Sequence, residues 1–321
     1  MQRVKIVGAG QLGSRHLQAL QAVSTPLEIH VIDPSPESLR VARERFEAVG
    51  KGVAHQVSYE TGVTATGPTD VAIVATNADA RRKAVEQLLA ASPVKGLVLE
   101  KLLFDRRDDY AAVDSLVERS GARAWVNCCM RVMPPYEAIR AELAGAPVSY
   151  RVTGGQYGLV TNAIHYVDHV AHLTGCAQAA FDISGIDAKP VASKRRGFLE
   201  LTGTLAGRFA DGSRCEIACY PSGAAPVVVE IFSPSHRFIV RESEGRAWHA
   251  HESTGWKWEE REARIPYQSE MTAGVVGSLL ATGECGLAPL AESSRLHLAL
   301  LEALRPCVRA EAPDDGHYPF T

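Results

Sequence analysis

Apolar residues in the first third of the chain follow two alternating rhythms. Short, nearly continuous apolar runs at Val4–Val7, Leu27–Ile32, Val71–Ala75 and Leu97–Leu99 read as buried strands, and Ala124–Asn127 closes the series. Between them, apolar positions recur at helical spacing over Leu12–Val23, Glu37–Phe46, Ala80–Ala91 and Asp108–Ser120. Ser35 or Pro36 marks the start of the second of these helices. Strands that are apolar throughout, each followed by a helix, predict a parallel sheet covered on both faces. Right-handed crossovers make that sheet doubly wound.

The rhythm changes after Asn127. Helical spacing appears over Pro134–Leu143 and Ile164–Thr174, the latter stopped by Gly175, with a strand at Val148–Thr153 between them. Strand-like runs then follow at Leu199–Phe209, Arg214–Cys219, Val227–Phe232, Arg237–Val240 and Arg246–His251, with a hairpin signal at Asp211-Gly212. Two helices close the pattern near Glu270–Leu280 and Ser294–Leu304, before a polar tail from Pro306. The expectation is an N-terminal doubly wound parallel domain over 1–124 and an α+β domain over 125–321. A length of 321 residues suits two domains.

Composition excludes several classes. The formal net charge of −3 speaks against nucleic acid as a partner, and 46% hydrophobic residues against disorder. No apolar run approaches the length of a membrane span, and Met1–Gly8 carries no signal-like apolar block, so the expected location is cytoplasmic. The seven cysteines lack Cys-x-x-Cys spacing, so free thiols in a reducing compartment are expected rather than disulfides or a zinc motif.

The first strand runs into Gly8-Ala9-Gly10-Gln11-Leu12-Gly13, a Gly-x-Gly-x-x-Gly turn that opens a helix. Gly8 suits a tight turn, Gly10 lets backbone approach a pyrophosphate, and Gly13 lets the helix pack on the sheet. The phosphates would sit at the helix N-terminus. Asp33 ends the second strand and is placed to accept hydrogen bonds from ribose hydroxyls. Its charge would repel a 2′-phosphate, which favours NAD over NADP as the cofactor. Arg40 could offset that preference or be a plain solvated arginine.

Further segments carry a family resemblance. They are Ala75-Thr76-Asn77 after a strand, Glu100-Lys101-Leu102 after the next, and Asn162-Ala163-Ile164-His165-Tyr166-Val167-Asp168. With the glycine turn followed by His16, the chain resembles the Gfo/Idh/MocA oxidoreductases over its whole length. The resemblance implies a Rossmann domain followed by a domain with a large, open, mostly antiparallel sheet that forms dimers or tetramers. It also implies hydride transfer between a nicotinamide and a carbinol carbon of a sugar, polyol or nucleotide-sugar. Leu102 replaces the proline of the family's Glu-Lys-Pro. Thr161 and Ala163 replace the aspartate and glycine of its Asp-x-Gly-x-His-x-x-Asp, while His165 and Asp168 match. Thr76-Asn77-Ala78-Asp79-Ala80-Arg81 departs from its Thr-Pro-Asn-x-x-His.

Candidate chemistry follows. His165 suits a general acid/base and Lys101, at the C-terminal edge of the sheet, suits a group that orients the reacting oxygen. Asp168, one helical turn after His165, would bind a substrate hydroxyl or steer that ring. The expected cofactor residues are Gly8, Gly10, Gln11, Leu12, Gly13, Asp33, Thr76, Asn77, Glu100 and Lys101. Lys101, Asn127, Arg131, Tyr157, Asn162 and His165 are the expected substrate residues. Arg131 has a structural salt bridge as its equal alternative. His165, His169 and His172 share a helical face, but His169 and His172 are expected in the core or an interface, and no metal site is expected. The tryptophans Trp248, Trp256 and Trp258 are expected to pack a sheet face or a subunit contact. Two alternatives stand beside a sugar dehydrogenase: a cofactor-binding regulatory protein without a redox step, and a reductase of imines or enones.

Overall fold

The computed structural model describes residues 1–50, 52–308 and 316–321 and divides the chain into two units. The first begins with β1 (Gln2–Val7), α1 (Gln11–Ala19), β2 (Leu27–Ile32), α2 (Pro36–Glu47) and β3 (Gln56–Glu60). It continues through β4 (Thr69–Val74), α3 (Ala78–Ala91), β5 (Val94–Leu99), α4 (Arg107–Ser120) and β6 (Arg123–Val126). Local chemistry sets the ends. Ser35 caps α2 by accepting from the Ser38 amide at 3.2 Å, with Pro36 in its first turn, and Gly121 closes α4 in the left-handed region.

The second unit starts with α5 (Pro134–Leu143), β7 (Ser149–Gly155), α6 (Leu159–Thr174), β8 (Ala179–Ile186), β9 (Val191–Ala192) and β10 (Leu199–Glu200). Then come β11 (Gly203–Phe209), β12 (Arg214–Tyr220), β13 (Val228–Phe232), β14 (His236–Arg241), β15 (Arg246–His251) and β16 (Glu259–Glu262). The chain next returns to the first unit with α7 (Gln268–Thr282) and β17 (Ala288–Pro289), and α8 (Leu290–Leu304) leads into the closing residues of the second.

The first sheet has the order β17-β6-β5-β4-β1-β2-β3 and is parallel except for β17, which pairs antiparallel with β6. Its strands are apolar on both faces: Val71, Ala72, Ile73 and Val74 are all buried. The second has the order β16-β15-β14-β13-β7-β12-β11-β8 and is antiparallel except for β7 with β12. The expected fold class, a doubly wound parallel sheet followed by a large, mostly antiparallel one, is what the chain adopts.

Several expectations meet a different local outcome. The structure divides the chain at Asn127/Cys128 rather than after 124, and Pro266–Ala291 belongs to the first unit, where α7 packs on α1. The run Leu199–Phe209 is two strands, because the chain turns at Gly203, with φ +96°, and Glu200 is drawn to the start of α6. Strands β3 and β8 were not foreseen, although Val57 and Tyr59 in the one and Phe181 and Ile183 in the other alternate with polar residues. Of the polar tail from Pro306, residues 309–315 lie outside the described residues. Tyr318, Phe320 and Thr321 beyond them are buried, and the Pro319 carbonyl accepts from the Leu199 amide at 2.7 Å. No helix among the described residues is long and apolar enough to cross a membrane. The seven cysteines are free thiols, of which Cys128, Cys215 and Cys219 are buried.

Candidate functional site

In the first unit, strand order reverses at β1, which lies between β2 and β4. A crevice opens outside the carboxyl ends of the strands at such a point. Here a cleft of about 1030 Å³ is lined by Gly8, Gly10, Asp33, Thr76 and Asn77, along with Thr61, Gly62, Val63 and the face of α3 bearing Lys83 and Gln87. The last five were missed from sequence. For Lys83 and Gln87 the signal was the row of small residues Ala80, Ala84 and Ala91 beside them on α3.

The glycine turn is required by backbone geometry at two positions. Gly8 sits at φ +92°, and a Cβ there would come within 2.9 Å of the Ala75–Thr76 backbone. A Cβ on Gly13 would lie 1.8 Å from the Gly8 carbonyl oxygen, so only glycine lets α1 seat against the turn. Gly10 differs, because a Cβ there would meet nothing within 4 Å. Its bare face is not needed by the chain's own packing, which fits a pyrophosphate laid against it. No side chain caps α1, so its first-turn amides face the turn.

Asp33 accepts from the Ala9 amide at 2.7 Å and the Ser35 amide at 2.8 Å, which fixes the carboxylate at the cleft. Arg40 is the solvated alternative: it is exposed and held by Glu37 at 2.6 Å and Glu44 at 2.5 Å. The Gln11 side-chain carbonyl accepts from Arg45 Nη2 at 2.9 Å, Leu12 is half-buried, and Gly13 lies under Gly8. Gly13, with no side chain, can reach a cofactor only through backbone.

Glu100 does not line that cleft. It is buried, and its Oε1 accepts from His16 Nε2 at 2.8 Å and from Asn127 Nδ2 at 2.6 Å. His16 Nδ1 meets Thr272 Oγ1 at 2.8 Å, and Asn127 Nδ2 also reaches Gln268 Oε1 at 3.0 Å. Burial alone would push the Glu100 carboxyl up, but His16, Asn127 and the neighbouring Lys101 charge hold it down at about 2. Glu100 and Asn127, expected at cofactor and substrate, are thus two members of a buried polar network beneath Lys101. The Lys101–Leu102 peptide bond is cis. Arg81, fully buried, donates to the carbonyls of Thr76, Leu102 and Leu103, tying the Thr76 loop to the segment after Lys101. It stands where the family's histidine was expected, and its role was not foreseen.

In the second unit, α6 carries His165. Thr161, Asn162 and His165 are half-exposed along one stripe of the helix, at i, i+1 and i+4. Asn162 Nδ2 donates to the carbonyls of Tyr157 at 2.6 Å and Gly158 at 3.1 Å, and the Tyr157 hydroxyl donates to the Ala218 carbonyl at 3.1 Å. Both therefore brace the loop before α6. Glu200, another residue the sequence reading passed over, accepts from the amides of Val160 at 2.8 Å and Thr161 at 3.0 Å and from the Thr161 hydroxyl. It places a buried carboxylate at the N-terminus of the His165 helix, beside the residue that replaces the family's aspartate.

Asp168 is corrected. It neither steers His165 nor faces a substrate: it is fully buried, and both its oxygens accept from Arg131 at 2.7 Å. Three residues along an α-helix leave Asp168 about 60° round from His165, and here that offset takes it from the half-exposed stripe into the core. Arg131 takes the salt-bridge alternative, being buried and bridged also to Glu292 at 2.5 Å, so its fork is filled by the protein's own carboxylates. Burial raises the Asp168 carboxyl to about 6, still ionised against Arg131 at neutral pH. His169 is a core histidine bonded to the Tyr150 hydroxyl at 2.8 Å, its pKa lowered by burial, and His172 pairs with Glu137 at 2.6 Å.

Comparison with known proteins bears on these features. Residues 2–128 match the family model described as the oxidoreductase family, NAD-binding Rossmann fold, of the Gfo/Idh/MocA group. No curated relative matches the chain in sequence. Among solved structures, an oxidoreductase from Agrobacterium radiobacter in complex with NAD+, L-tartaric acid and magnesium has TM-score 0.75 at 16% identity, with 97% of each chain covered. UDP-N-acetylglucosamine 3-dehydrogenase from Acidithiobacillus ferrooxidans has TM-score 0.70 at 15% identity, covering 96% of this chain and 98% of that one. A 3-ketoreductase from Actinomadura kijaniata in complex with NADP has TM-score 0.69 at 15% identity, covering 95% and 97%. At these identities the likeness is one of fold.

Proposed function

We propose that the chain, whose residues 2–128 match the Gfo/Idh/MocA oxidoreductase family model, is an NAD-dependent enzyme acting at a hydroxyl- or carbonyl-bearing carbon of a sugar, polyol or nucleotide-sugar. The observation that carries this reading is the cleft at the β1 switch point, where the bare face of Gly10 and the anchored Asp33 carboxylate stand together. Asp33 disfavours a 2′-phosphate, and Arg40, engaged by two glutamates, does not offset it. The nicotinamide, when bound, supplies or accepts the hydride.

The chain's own part is to move one proton and to hold one oxygen. In the reductive direction His165 gives a proton to the carbonyl oxygen; in the oxidative direction it takes the hydroxyl proton. The Lys101 ammonium donates a hydrogen bond to that oxygen and stabilises alkoxide character. Asp168 and Arg131 have no direct part, and Tyr157 and Asn162 shape the loop that leads to His165. The open sheet of the second unit is the proposed contact of a homodimer or homotetramer, which size-exclusion chromatography with light scattering tests.

The deciding experiment follows reduced-nicotinamide absorbance with NAD and NADP against polyols, aldoses, uronic acids, nucleotide-sugars and a cyclic imine. Turnover abolished by His165→Ala and by Lys101→Ala, with cofactor affinity kept in the former, supports the assignment. Near-normal turnover in both variants refutes it. Activity on the imine alone shifts the reading to a C=N reductase. Tight cofactor binding without any exchange favours the regulatory alternative, to which the Thr161 replacement already points.

A further inference from the structure

The edge of the second unit's sheet holds a cluster that the proposed reaction does not use. Strands β14 and β15 pair with His236 opposite His251 and Phe238 opposite His249, which puts three imidazoles on one face. Glu142, in the last turn of α5, reaches the same place. His236 Nδ1 lies 3.0 Å from His249 Nε2, and His249 Nε2 lies 3.7 Å from Glu142 Oε2. One donor atom from each of Glu142, His236 and His249 falls within 4.8 Å of the others. A tetrahedral ion with bonds of about 2.0–2.1 Å needs donor atoms about 3.3 Å apart, and the two observed separations bracket that spacing. The three residues line a cavity of about 260 Å³ with His251, Lys257 and Arg261.

We propose that Glu142, His236 and His249 form a three-ligand site for a divalent transition-metal ion of the zinc type, with its remaining coordination position open to the cavity. Two imidazoles and one carboxylate favour such an ion over magnesium or calcium, which take oxygen ligands. Arg261 governs access. Its Nη1 holds Glu142 Oε1 at 2.6 Å, and its Nη2 lies 2.5 Å from His249 Nδ1. With an ion on Nε2, the ring proton sits on Nδ1, so Nη2 must turn away while Nη1 keeps Oε1 and leaves Oε2 to the ion. The guanidinium also opposes the ion's charge, so its removal tightens binding.

The test titrates the full chain, stripped with chelator and desalted, with Zn²⁺ by calorimetry and with Co²⁺ by visible absorption. The expected result is one ion per chain with a Kd of about 10 μM or tighter, and a cobalt spectrum free of thiolate charge-transfer bands. His236→Ala, His249→Ala and the shape-preserving Glu142→Gln each weaken binding about 100-fold or more, with circular dichroism showing that the fold is kept. Arg261→Ala binds more tightly. No binding at about 100 μM, unchanged affinity in the three ligand variants, or a thiolate band that puts the ion on cysteine overturns the site. Weaker binding in Arg261→Ala overturns the placement of the ion on Nε2.

Discussion

Replacing Glu100 by glutamine removes one negative charge from a buried network and almost nothing else. Its Oε1 is shared by His16 Nε2 and Asn127 Nδ2, and glutamine keeps an oxygen in the same place. What is lost is the charge that makes the folded state prefer the ionised carboxyl, whose pKa falls from 4.5 to about 2. At about 1.36 kcal/mol for each pH unit of that fall, the contribution at pH 7 is about 3 kcal/mol. A group whose folded pKa is depressed gives stability that is complete above its unfolded value and is lost as pH falls toward its folded value. The window therefore runs from about pH 4.5 down to about pH 2, and the difference between wild type and Glu100→Gln narrows to about 2 kcal/mol by about pH 3.5. Urea unfolding at pH 7, 5, 4 and 3.5, followed by circular dichroism, measures it. A variant as stable as wild type at pH 7, or a deficit that does not change with pH, refutes the reasoning. Because Glu100 lies outside the cleft lining, cofactor affinity of the folded variant should stay near wild type, as fluorescence titration would show.

Three other outcomes follow from the geometry. Arg131→Met strips the cation from the fully buried Asp168 and from Glu292, and should cost about 3–5 kcal/mol in thermal or urea unfolding; a loss below about 1 kcal/mol would show that the pair is not structural. Gly13→Ala would set a Cβ 1.8 Å from the Gly8 oxygen, so the variant should fail to bind cofactor in a fluorescence titration or fail to fold. Glu200→Ala removes the acceptor for the Val160 and Thr161 amides, at a cost of about 1–2 kcal/mol. Faster hydrogen exchange confined to those two amides would report it, and unchanged exchange would count against the cap.

Much of the first unit was legible in the chain itself. Buried parallel strands need continuous apolar runs, and a dinucleotide turn needs glycine where backbone meets backbone or ligand, so Val71–Val74 and Gly8 to Gly13 announce their structure locally. Asp33 was readable for the same reason, its position being set by the end of β2. The roles of Asp168, Arg131 and Glu100 were not readable. Spacing along a helix says which residues are near His165 in number, while burial says which way each faces: a carboxylate three residues on turned inward to meet an arginine 37 positions away in sequence. The same holds for Glu200, which reaches the first turn of α6 from a strand 39 residues later, and for Arg81, whose carbonyl partners lie 5, 21 and 22 residues distant. The sequence by itself determined the periodicities, the glycine turn and the polar groups available for chemistry. Only the tertiary structure decided which of those groups spend their hydrogen bonds on one another, because a buried charge must find a partner and the partner is chosen by packing.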